Sequence, residues 1–317
     1  MSHATLKDAL MLIDGGRGEG VELLRRLAST GDRQALFVLG DLMWSGHLVE
    51  QDPPRGREMF ERAAALGHVQ ANIIATNLVA SGVAGRRDWT EAIERLEVEA
   101  RPLPDRKAAL DLLTAMELNS VGDPVATPQP RPISERPRAM VFDKLLSPAE
   151  CRHLINVTGE AFEPSMVYDS CGELVRDTIR TSDGATLHWA MEDPAIHALN
   201  RRIAIATGTF YEQGEALQVL RYSPGQEYRP HFDWVDSAPN QRLWTALIYL
   251  NDDYEGGATE FVRTRTKVRG TTGDMLVFSN ADASGDGDPL AEHAGLPVTA
   301  GTKYLATRWI REARWIP

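Results

Sequence analysis

The first third of the chain repeats itself with a period of 36 residues, and this repeat restricts the fold more than any other feature. Gly31-Asp32-x-x-Ala35 returns as Gly67-His68-x-x-Ala71, and Ser45-Gly46 returns as Ser81-Gly82. A period of this length is typical of stacked pairs of helices, because each pair buries its apolar face against its neighbours. Glycines just after the apolar stripes are expected to end helices in a left-handed conformation. The repeats therefore predict an N-terminal all-α helical-repeat solenoid.

These units resemble the Sel-one-like relatives of tetratricopeptide repeats over about residues 17 to 100. A third unit, near Trp89, is displaced from the period by about two residues. Stacked repeats present a concave surface to other proteins. The resemblance therefore implies that the repeats engage either a protein or peptide substrate or another protein partner.

A proline-rich stretch separates the repeats from the remainder of the chain. Five prolines lie between Val121 and Pro137, a density that favours an extended spacer without regular structure. The sequence therefore predicts a helical-repeat domain over residues 1–119, a linker over 120–138 and a second domain over 139–317.

The second domain changes from helical to strand patterns. Ser147-Pro-Ala-Glu150 is a capping box, and Asp193-Pro194 opens a second helix that runs to about Thr207. Five short runs rich in β-branched and aromatic residues follow, which predict antiparallel strands. They are Leu217 to Tyr222, Leu243 to Leu250, Thr259 to Val262, Met275 to Phe278 and Tyr304 to Ile310. The predicted fold is α+β and multidomain, with a double-stranded β-helix (jelly roll) and supporting helices after the solenoid.

Charge and cysteine content exclude several classes of protein. The chain has 34 Lys and Arg against 45 Asp and Glu, a net charge of −11, so we expect no nucleic-acid partner. Its two cysteines, Cys151 and Cys171, are too few for a disulfide scaffold or a four-cysteine zinc site. No segment has the pattern of a targeting signal or a membrane span. We therefore expect a cytoplasmic protein without membrane contact.

Three residues of the second domain have the chemistry of a metal site. His231 and Asp233 are two positions apart, so on an extended segment their side chains point the same way. His293 stands before another strand-like run. Two imidazoles and one carboxylate form the facial triad of non-haem Fe(II) oxygenases, and zinc accepts the same ligands.

Lys303 favours iron over zinc. It lies ten residues after His293, at the start of a predicted strand from Lys303 to Ile310 that contains the last of these runs. A cation at the deep end of a barrel is costly unless an anion joins it. The dicarboxylate 2-oxoglutarate fits, because one end chelates iron while the other pairs with Lys303.

The second domain resembles the prolyl 4-hydroxylase branch of the Fe(II)- and 2-oxoglutarate-dependent dioxygenases. The resemblance extends from Arg180-Thr-Ser182 to Trp309 and rests on ordered blocks of residues. They are Tyr222-x-x-Gly225-x-x-Tyr228-x-x-His231-x-Asp233, Arg242-x-x-Thr245-x-x-x-Tyr249-Leu-Asn251, Gly256-Gly257-x-Thr259-x-Phe261, Gly273-Asp274-Met-Leu-Val-Phe278 and His293-x-x-x-Pro297-Val-x-x-Gly301-x-Lys303.

The resemblance implies a role for each matched position. His231, Asp233 and His293 would bind Fe(II) as the catalytic metal. Lys303, Thr259 and Tyr222 would bind the distal carboxylate of 2-oxoglutarate, and Arg242, Tyr228 and Trp309 would line the substrate groove. The implied reaction uses dioxygen, with ascorbate as a reductant, to hydroxylate a C–H bond of a prolyl residue in a protein or peptide, releasing succinate and carbon dioxide.

Several alternatives remain open at this stage. The same chemistry on a free amino acid or a small peptide natural product would leave the same iron-site pattern. A non-catalytic interaction module with a degenerate barrel, or a structural metal barrel that does not use 2-oxoglutarate, is opposed by the intact triad and Lys303. Trp244, inside the second block, is expected to reshape the substrate entrance.

Overall fold

The structure, a computed structural model, describes residues 5–159, 161–168 and 174–316, and Cys171 lies outside them. The chain divides into two units. The helical unit contains the chain up to Leu110 together with Trp189–His197, and the sheet unit contains Asp111–His188 and Ala198–Ile316. Within the described ranges, no helix has both the length and the apolar character needed to cross a bilayer.

The described residues form nine α-helices. They are α1 (Leu6–Asp14), α2 (Glu19–Ser29), α3 (Arg33–Ser45), α4 (Pro53–Ala65), α5 (Val69–Ser81), α6 (Trp89–Glu99), α7 (Pro104–Ala115), α8 (Pro148–Thr158) and α9 (Pro194–Thr207). The capping box at the start of α8 forms as predicted, with the Ser147 and Glu150 side chains each accepting the other's backbone N–H.

Helices α3 and α5 confirm the 36-residue period. Each has 13 residues and begins after an N-cap side chain that accepts backbone N–H groups, Asp32 for α3 and His68 for α5. Each ends at a left-handed glycine, Gly46 with φ of 78° and Gly82 with φ of 75°, where a larger residue would be strained. The third unit keeps this phase at its start, because α6 begins 36 residues after α4. The predicted two-residue displacement is wrong there.

A buried charge pair joins α6 to α7 within the helical unit. Glu99 and Arg106 are 4% and 5% exposed, and Arg106 Nε donates to Glu99 Oε2 at 2.6 Å. Glu99 Oε1 also accepts from Thr76 Oγ1 at 2.5 Å, while Arg106 Nη1 donates to Asn77 Oδ1 at 3.0 Å. Both charges are therefore compensated inside this unit.

The segment Trp189–His197 belongs to the helical unit although it is distant in sequence. Asn77 Nδ2 donates to the carbonyl of Ala190 at 2.9 Å, and the ring of Trp89 lies 6.1 Å from that of His197. The unit division therefore differs from the predicted boundaries of 119 and 138. It falls after Leu110 and returns a short stretch of the predicted second domain to the first unit.

The sheet unit contains sixteen strands among the described residues. They are β1 (Arg131–Glu135), β2 (Arg138–Phe142), β3 (Glu163–Pro164), β4 (Met166–Tyr168), β5 (Leu174–Arg176), β6 (Asp183–Leu187), β7 (Leu217–Tyr222), β8 (Tyr228–His231), β9 (Arg242–Tyr249), β10 (Glu255–Gly256), β11 (Thr259–Phe261), β12 (Thr266–Val268), β13 (Met275–Ser279), β14 (His293–Gly295), β15 (Val298–Ala300) and β16 (Lys303–Arg311).

Two of the sheets form a sandwich. The larger has eight strands in the order β1-β2-β13-β9-β16-β7-β6-β3, and the smaller has four in the order β12-β11-β14-β8. Their pairs are all antiparallel. Apolar side chains of both sheets share one core, with Tyr249 and Phe278 from the larger and Phe261 from the smaller. The predicted jelly roll after a helical N-terminal region is confirmed.

The proline-rich stretch differs from its prediction at its C-terminal end. Residues Arg131–Glu135 form β1, the edge strand of the larger sheet, and pair with β2. Proline has no backbone N–H group. Pro132 is tolerated there because some backbone N–H groups of an edge strand form no hydrogen bond to a neighbouring strand. The expectation that residues 120–138 lack regular structure is therefore wrong for β1.

Candidate metal centre

The three predicted metal ligands come together at one end of the smaller sheet. β8 ends at His231 and β14 begins at His293, and these two residues are direct cross-strand partners. Asp233 follows β8 by two residues. Its carboxylate oxygens lie 3.8 Å from His231 Nε2 and 3.6 Å from His293 Nε2. One ligand atom from each residue lies within 4.8 Å of the other two, so the three can reach a single ion.

Backbone carbonyls orient both imidazoles. His231 Nδ1 lies 2.7 Å from the carbonyl oxygen of Arg229, and His293 Nδ1 lies 3.0 Å from that of Ala291. Since a carbonyl only accepts, each Nδ1 carries a proton, and in the neutral form of each ring Nε2 is the nitrogen with the lone pair that can bind a metal. A hydrogen bond from the ring nitrogen that does not bind the metal is the usual way in which a protein orients a histidine ligand.

The protonation states of the site also suit a cation. Burial and the neighbouring His293 lower the pKa of His231, which keeps this imidazole neutral. Burial opposes the ionisation of Asp233, but the pKa of the carboxyl is lowered overall, in part because the Thr245 hydroxyl donates a hydrogen bond to the carboxylate. A neutral imidazole and an ionised carboxylate are the forms that bind a metal.

Lys303 lies in the same pocket as the three ligands and has no carboxylate partner in the described part of the chain. Its side chain is 2% exposed, and Nζ donates to the carbonyl of Gly257 at 2.7 Å. Burial, with a smaller effect from Arg269, lowers the pKa of Lys303 to about 7. An anion in the pocket would reverse this shift, because an opposite charge favours the protonated form.

Two predicted partners of Lys303 line the same pocket. Lys303 Nζ lies 5.4 Å from the centre of the Tyr222 ring. Burial raises the pKa of Tyr222 to about 12, so its hydroxyl stays a donor. Thr259 Oγ1 is 3.1 Å from the Tyr249 hydroxyl. Leucines from the larger sheet complete an apolar wall in this pocket, namely Leu220, Leu247 and Leu305.

The three predicted substrate residues have different positions. Tyr228 and Trp309 line the pocket, and Tyr228 stacks on His231 with ring centres 3.4 Å apart. Arg242 does not line the pocket. Its guanidinium is bound to Glu215 at 2.6 and 2.9 Å and lies 4.0 Å from the centre of the Trp309 ring. Arg242 therefore contacts Trp309, which lines the pocket, without lining it itself.

Trp244 does not reshape the pocket as expected. The next residue, Thr245, hydrogen bonds to Asp233, so alternation along β9 turns Trp244 to the opposite face of the sheet. There its ring lies 5.4 Å from the guanidinium of Arg138. The prediction is wrong because the sequence motif does not say which face of β9 each residue occupies.

Some pocket residues were missed as individual site residues. Arg180 and Thr307 line the pocket, and Arg180 Nε, Thr307 Oγ1 and Trp309 Nε1 are buried without a hydrogen-bond partner among the described residues. Thr245 contacts Asp233 directly. Arg180 stands in the motif where the resemblance begins and Thr245 in one of its blocks, so the sequence held a signal for both, whereas Thr307 lies beyond the last block.

The side chains fit Fe(II) and 2-oxoglutarate. Two imidazoles and one carboxylate leave coordination positions open for other ligands. If one end of a dicarboxylate chelated the ion, its other carboxylate could pair with Lys303, which has no carboxylate partner among the described residues. Donors buried without partners in the same pocket indicate that polar ligand groups complete it.

Comparisons with known proteins agree with this chemistry. A family model described as the 2OG-Fe(II) oxygenase superfamily matches residues 217–311. Prolyl 4-hydroxylase 1 from Arabidopsis thaliana is 36% identical over 204 residues, which cover 58% of this chain and 72% of the relative.

Two solved structures are each similar to a part of the chain. A viral collagen prolyl hydroxylase from Paramecium bursaria Chlorella virus-1, in complex with 2-oxoglutarate, is 28% identical, with 55% of this chain and 96% of that chain covered and a TM-score of 0.44. A Sel1 repeat protein from Oxalobacter formigenes is 20% identical, with 34% and 48% covered and a TM-score of 0.31. From its metal-site residues and its identity to the Arabidopsis enzyme, the chain belongs to the prolyl 4-hydroxylase family of Fe(II)- and 2-oxoglutarate-dependent dioxygenases.

Proposed function

We propose that this enzyme hydroxylates a prolyl residue in a protein or peptide. One oxygen atom of dioxygen enters the C–H bond of the substrate and the other enters succinate, as 2-oxoglutarate loses carbon dioxide. The observation that carries the proposal is that the 2-His-1-carboxylate cluster and the buried Lys303 line a single pocket.

The protein's part in this reaction is to bind and orient. His231, Asp233 and His293 hold Fe(II), which supplies the activation of dioxygen and 2-oxoglutarate when bound. Lys303 pairs with the distal carboxylate of 2-oxoglutarate, and the hydroxyls of Tyr222 and Thr259 donate to it. The apolar wall next to this pair keeps water out and strengthens the ionic interaction.

Aromatic side chains near the metal ligands support a prolyl substrate. Tyr228, stacked on His231, and Trp309, held against Arg242, present flat apolar surfaces in the pocket. A pyrrolidine ring packs well against such surfaces. Trp309 Nε1 and Arg180 Nε, which have no hydrogen-bond partner within the described ranges, are donors for the carbonyl oxygens of a peptide.

The test measures succinate and the mass gain of one oxygen atom in the substrate. The full-length enzyme is supplied with Fe(II), 2-oxoglutarate, ascorbate and proline-containing peptides, and then with free proline. We expect succinate and hydroxylated peptide in equal amounts, and no product from His231→Ala. The matched control is His188→Ala, since His188 is exposed and lies outside the pocket. Hydroxylation of free proline alone would contradict a peptide substrate.

The proposal extends to the helical unit, which we expect to engage the protein that carries the target proline. Leu66 and Val69 are 48% and 61% exposed at the turn between α4 and α5. Replacing both with Asp should raise KM for a full-length protein substrate and leave KM for short peptides unchanged. If the double variant had the same KM for the protein substrate as the wild type, recruitment at this turn would be contradicted. Point substitutions are preferable to truncation, because removing the repeats would also remove the partners of Trp189–His197.

A further inference from the structure

The carboxylate of Asp233 is held by a buried chain of hydrogen bonds that begins at Asn280. Asn280 Nδ2 donates to Thr245 Oγ1 at 3.0 Å, and Thr245 Oγ1 donates to Asp233 Oδ2 at 2.6 Å. Asn280, Thr245 and Asp233 are 1%, 0% and 4% exposed. Neither Asn280 nor Thr245 lines the pocket, so neither has a place in binding 2-oxoglutarate or substrate.

The chemistry of the three groups fixes the direction of both hydrogen bonds. An amide nitrogen only donates and an ionised carboxylate only accepts, whereas a hydroxyl does both. Thr245 therefore accepts from Asn280 with a lone pair and has its single proton directed at Asp233. Without Asn280, the hydroxyl of Thr245 would be free to rotate toward other acceptors.

The backbone on both sides makes Asn280 a fixed anchor. Asn280 follows β13, its backbone N–H donates to the carbonyl of Leu243 at 2.9 Å, and its carbonyl accepts from the backbone N–H of Asp288 at 2.9 Å. Thr245 is equally fixed, because it lies in β9 between paired strands on both sides. The chain of donors thus reaches Asp233 from rigid parts of the larger sheet.

We propose that Thr245 and Asn280 are positioning residues for the metal. They hold Oδ2 of Asp233 in a hydrogen bond and leave Oδ1 as a single-atom ligand. A carboxylate that rotated freely, or that bound through both oxygens, would take a coordination position that 2-oxoglutarate or dioxygen needs. The inference rests on the metal site of the proposed function but concerns residues outside the ligand set.

Mn²⁺ binding to the full-length protein, followed by calorimetry without 2-oxoglutarate or substrate, tests the inference. Thr245→Val removes the hydroxyl and keeps the shape, and we expect Mn²⁺ affinity to fall about 10- to 100-fold, as for other residues that orient metal ligands. Thr245→Ser keeps the hydroxyl and should retain the affinity. Ser279→Ala is the matched control, because Ser279 Oγ hydrogen bonds to Ala281 and has no contact with Asp233.

A second comparison tests whether Asn280 acts through Thr245. Asn280→Ala should weaken Mn²⁺ binding in the wild-type background and have almost no further effect in Thr245→Val, because both changes break the same chain. In turnover assays, Thr245→Val should lower kcat at saturating Fe(II), while KM for a short peptide changes little. A merely structural role would lower the melting temperature of the metal-free protein without this pattern.

The outcomes separate the inference from the proposed function. Wild-type protein that bound no Mn²⁺ would overturn the metal site and the proposed function with it. Wild-type affinity in Thr245→Val and in Asn280→Ala, with circular dichroism unchanged, would overturn the positioning role alone. Should Thr245→Val fail to fold, Asn280→Ala decides the question by itself, and unchanged Mn²⁺ affinity in that variant overturns the inference.

Discussion

Arg106 in the helical unit and Lys303 in the sheet unit are both almost fully buried, but their surroundings are opposite in kind. The guanidinium of Arg106 binds the carboxylate of Glu99 and the amide of Asn77. Among the described residues, the ammonium of Lys303 hydrogen bonds to one carbonyl, that of Gly257. The desolvation of Arg106 is thus offset within the protein, whereas that of Lys303 is offset only when an anion binds.

This difference separates a charge that specifies the fold from a charge that serves a ligand. A buried pair whose opposite charges are in contact favours one arrangement of helices, since any other leaves a charge uncompensated. A buried cation without its anion lowers the stability of the ligand-free protein. When 2-oxoglutarate binds, its carboxylate removes this unfavourable contribution, and the affinity for 2-oxoglutarate is higher by the same free energy.

Removing Glu99 should have the largest effect, because it leaves Arg106 buried without its anion. We expect Glu99→Ala to lower the free energy of unfolding by about 3–5 kcal/mol, measured by urea denaturation followed by circular dichroism. The exposed Glu97→Ala is the matched control and should change it by less than about 0.5 kcal/mol. Equal effects of the two changes would show that the pair does not stabilise the helical unit.

Removing Lys303 should affect binding and leave folding intact. Lys303→Met is expected to weaken 2-oxoglutarate binding on the order of 100-fold, because the distal carboxylate loses the cation with which it pairs. The free energy of unfolding without 2-oxoglutarate should be unchanged or higher, since the desolvation of the ammonium is no longer required. Calorimetry and urea denaturation on the same preparations check both. A large loss of stability with normal binding would reverse the roles assigned to the two cations.

The helices and strands that could be predicted from the sequence are those in which the local residue pattern and the packing in the fold favour the same structure. Leu217–Tyr222 is a strand with the predicted bounds, and α9 begins at Pro194 as its cap indicates. The strands that carry the metal ligands were not predicted, because β8 includes a proline and β14 has three residues. Such strands form through pairing with neighbours, as between His231 and His293, rather than through propensity.

The site could be predicted as a set of residue types, but its supporting contacts could not. The ligand pattern pointed to His231, Asp233 and His293, which the fold brings together. Hydrogen bonds such as that from Thr245 to Asp233 depend on which face of β9 a residue occupies, and the same ambiguity misled the prediction for Trp244. Register against neighbouring strands decides the face, and that register is a property of the whole sheet.

The affinity for 2-oxoglutarate should fall as the pH rises above about 7. Burial sets the pKa of Lys303 at about 7 in the ligand-free protein, and the distal carboxylate binds the protonated form. Above this pKa each bound 2-oxoglutarate must bring a proton, so the dissociation constant should rise up to about tenfold for each pH unit. Below it Lys303 is already charged, and the affinity should become independent of pH.

Proton uptake provides the direct measurement. Calorimetry at about pH 8, in buffers with different ionisation enthalpies, should report about one proton taken up per 2-oxoglutarate, and almost none at about pH 6. 2-Oxobutyrate, which lacks the distal carboxylate, is the matched ligand control and should show no uptake at either pH. Uptake with both ligands would place the titrating group elsewhere.

Asn77→Ala should have the smallest effect, because it removes a neutral partner and leaves the charge pair in place. Arg106 keeps its bond to Glu99, so the loss should be about 1–2 kcal/mol for the two hydrogen bonds of Asn77, instead of the ~3–5 kcal/mol expected for Glu99→Ala. Asn77 also donates to the carbonyl of Ala190, so amide exchange within Trp189–His197 should become faster. Faster exchange there, with the helices α2 and α3 unchanged, would show that Asn77 holds this distant segment. A loss as large as that of Glu99→Ala would mean that hydrogen bonding around the pair, rather than its charge, stabilises the unit.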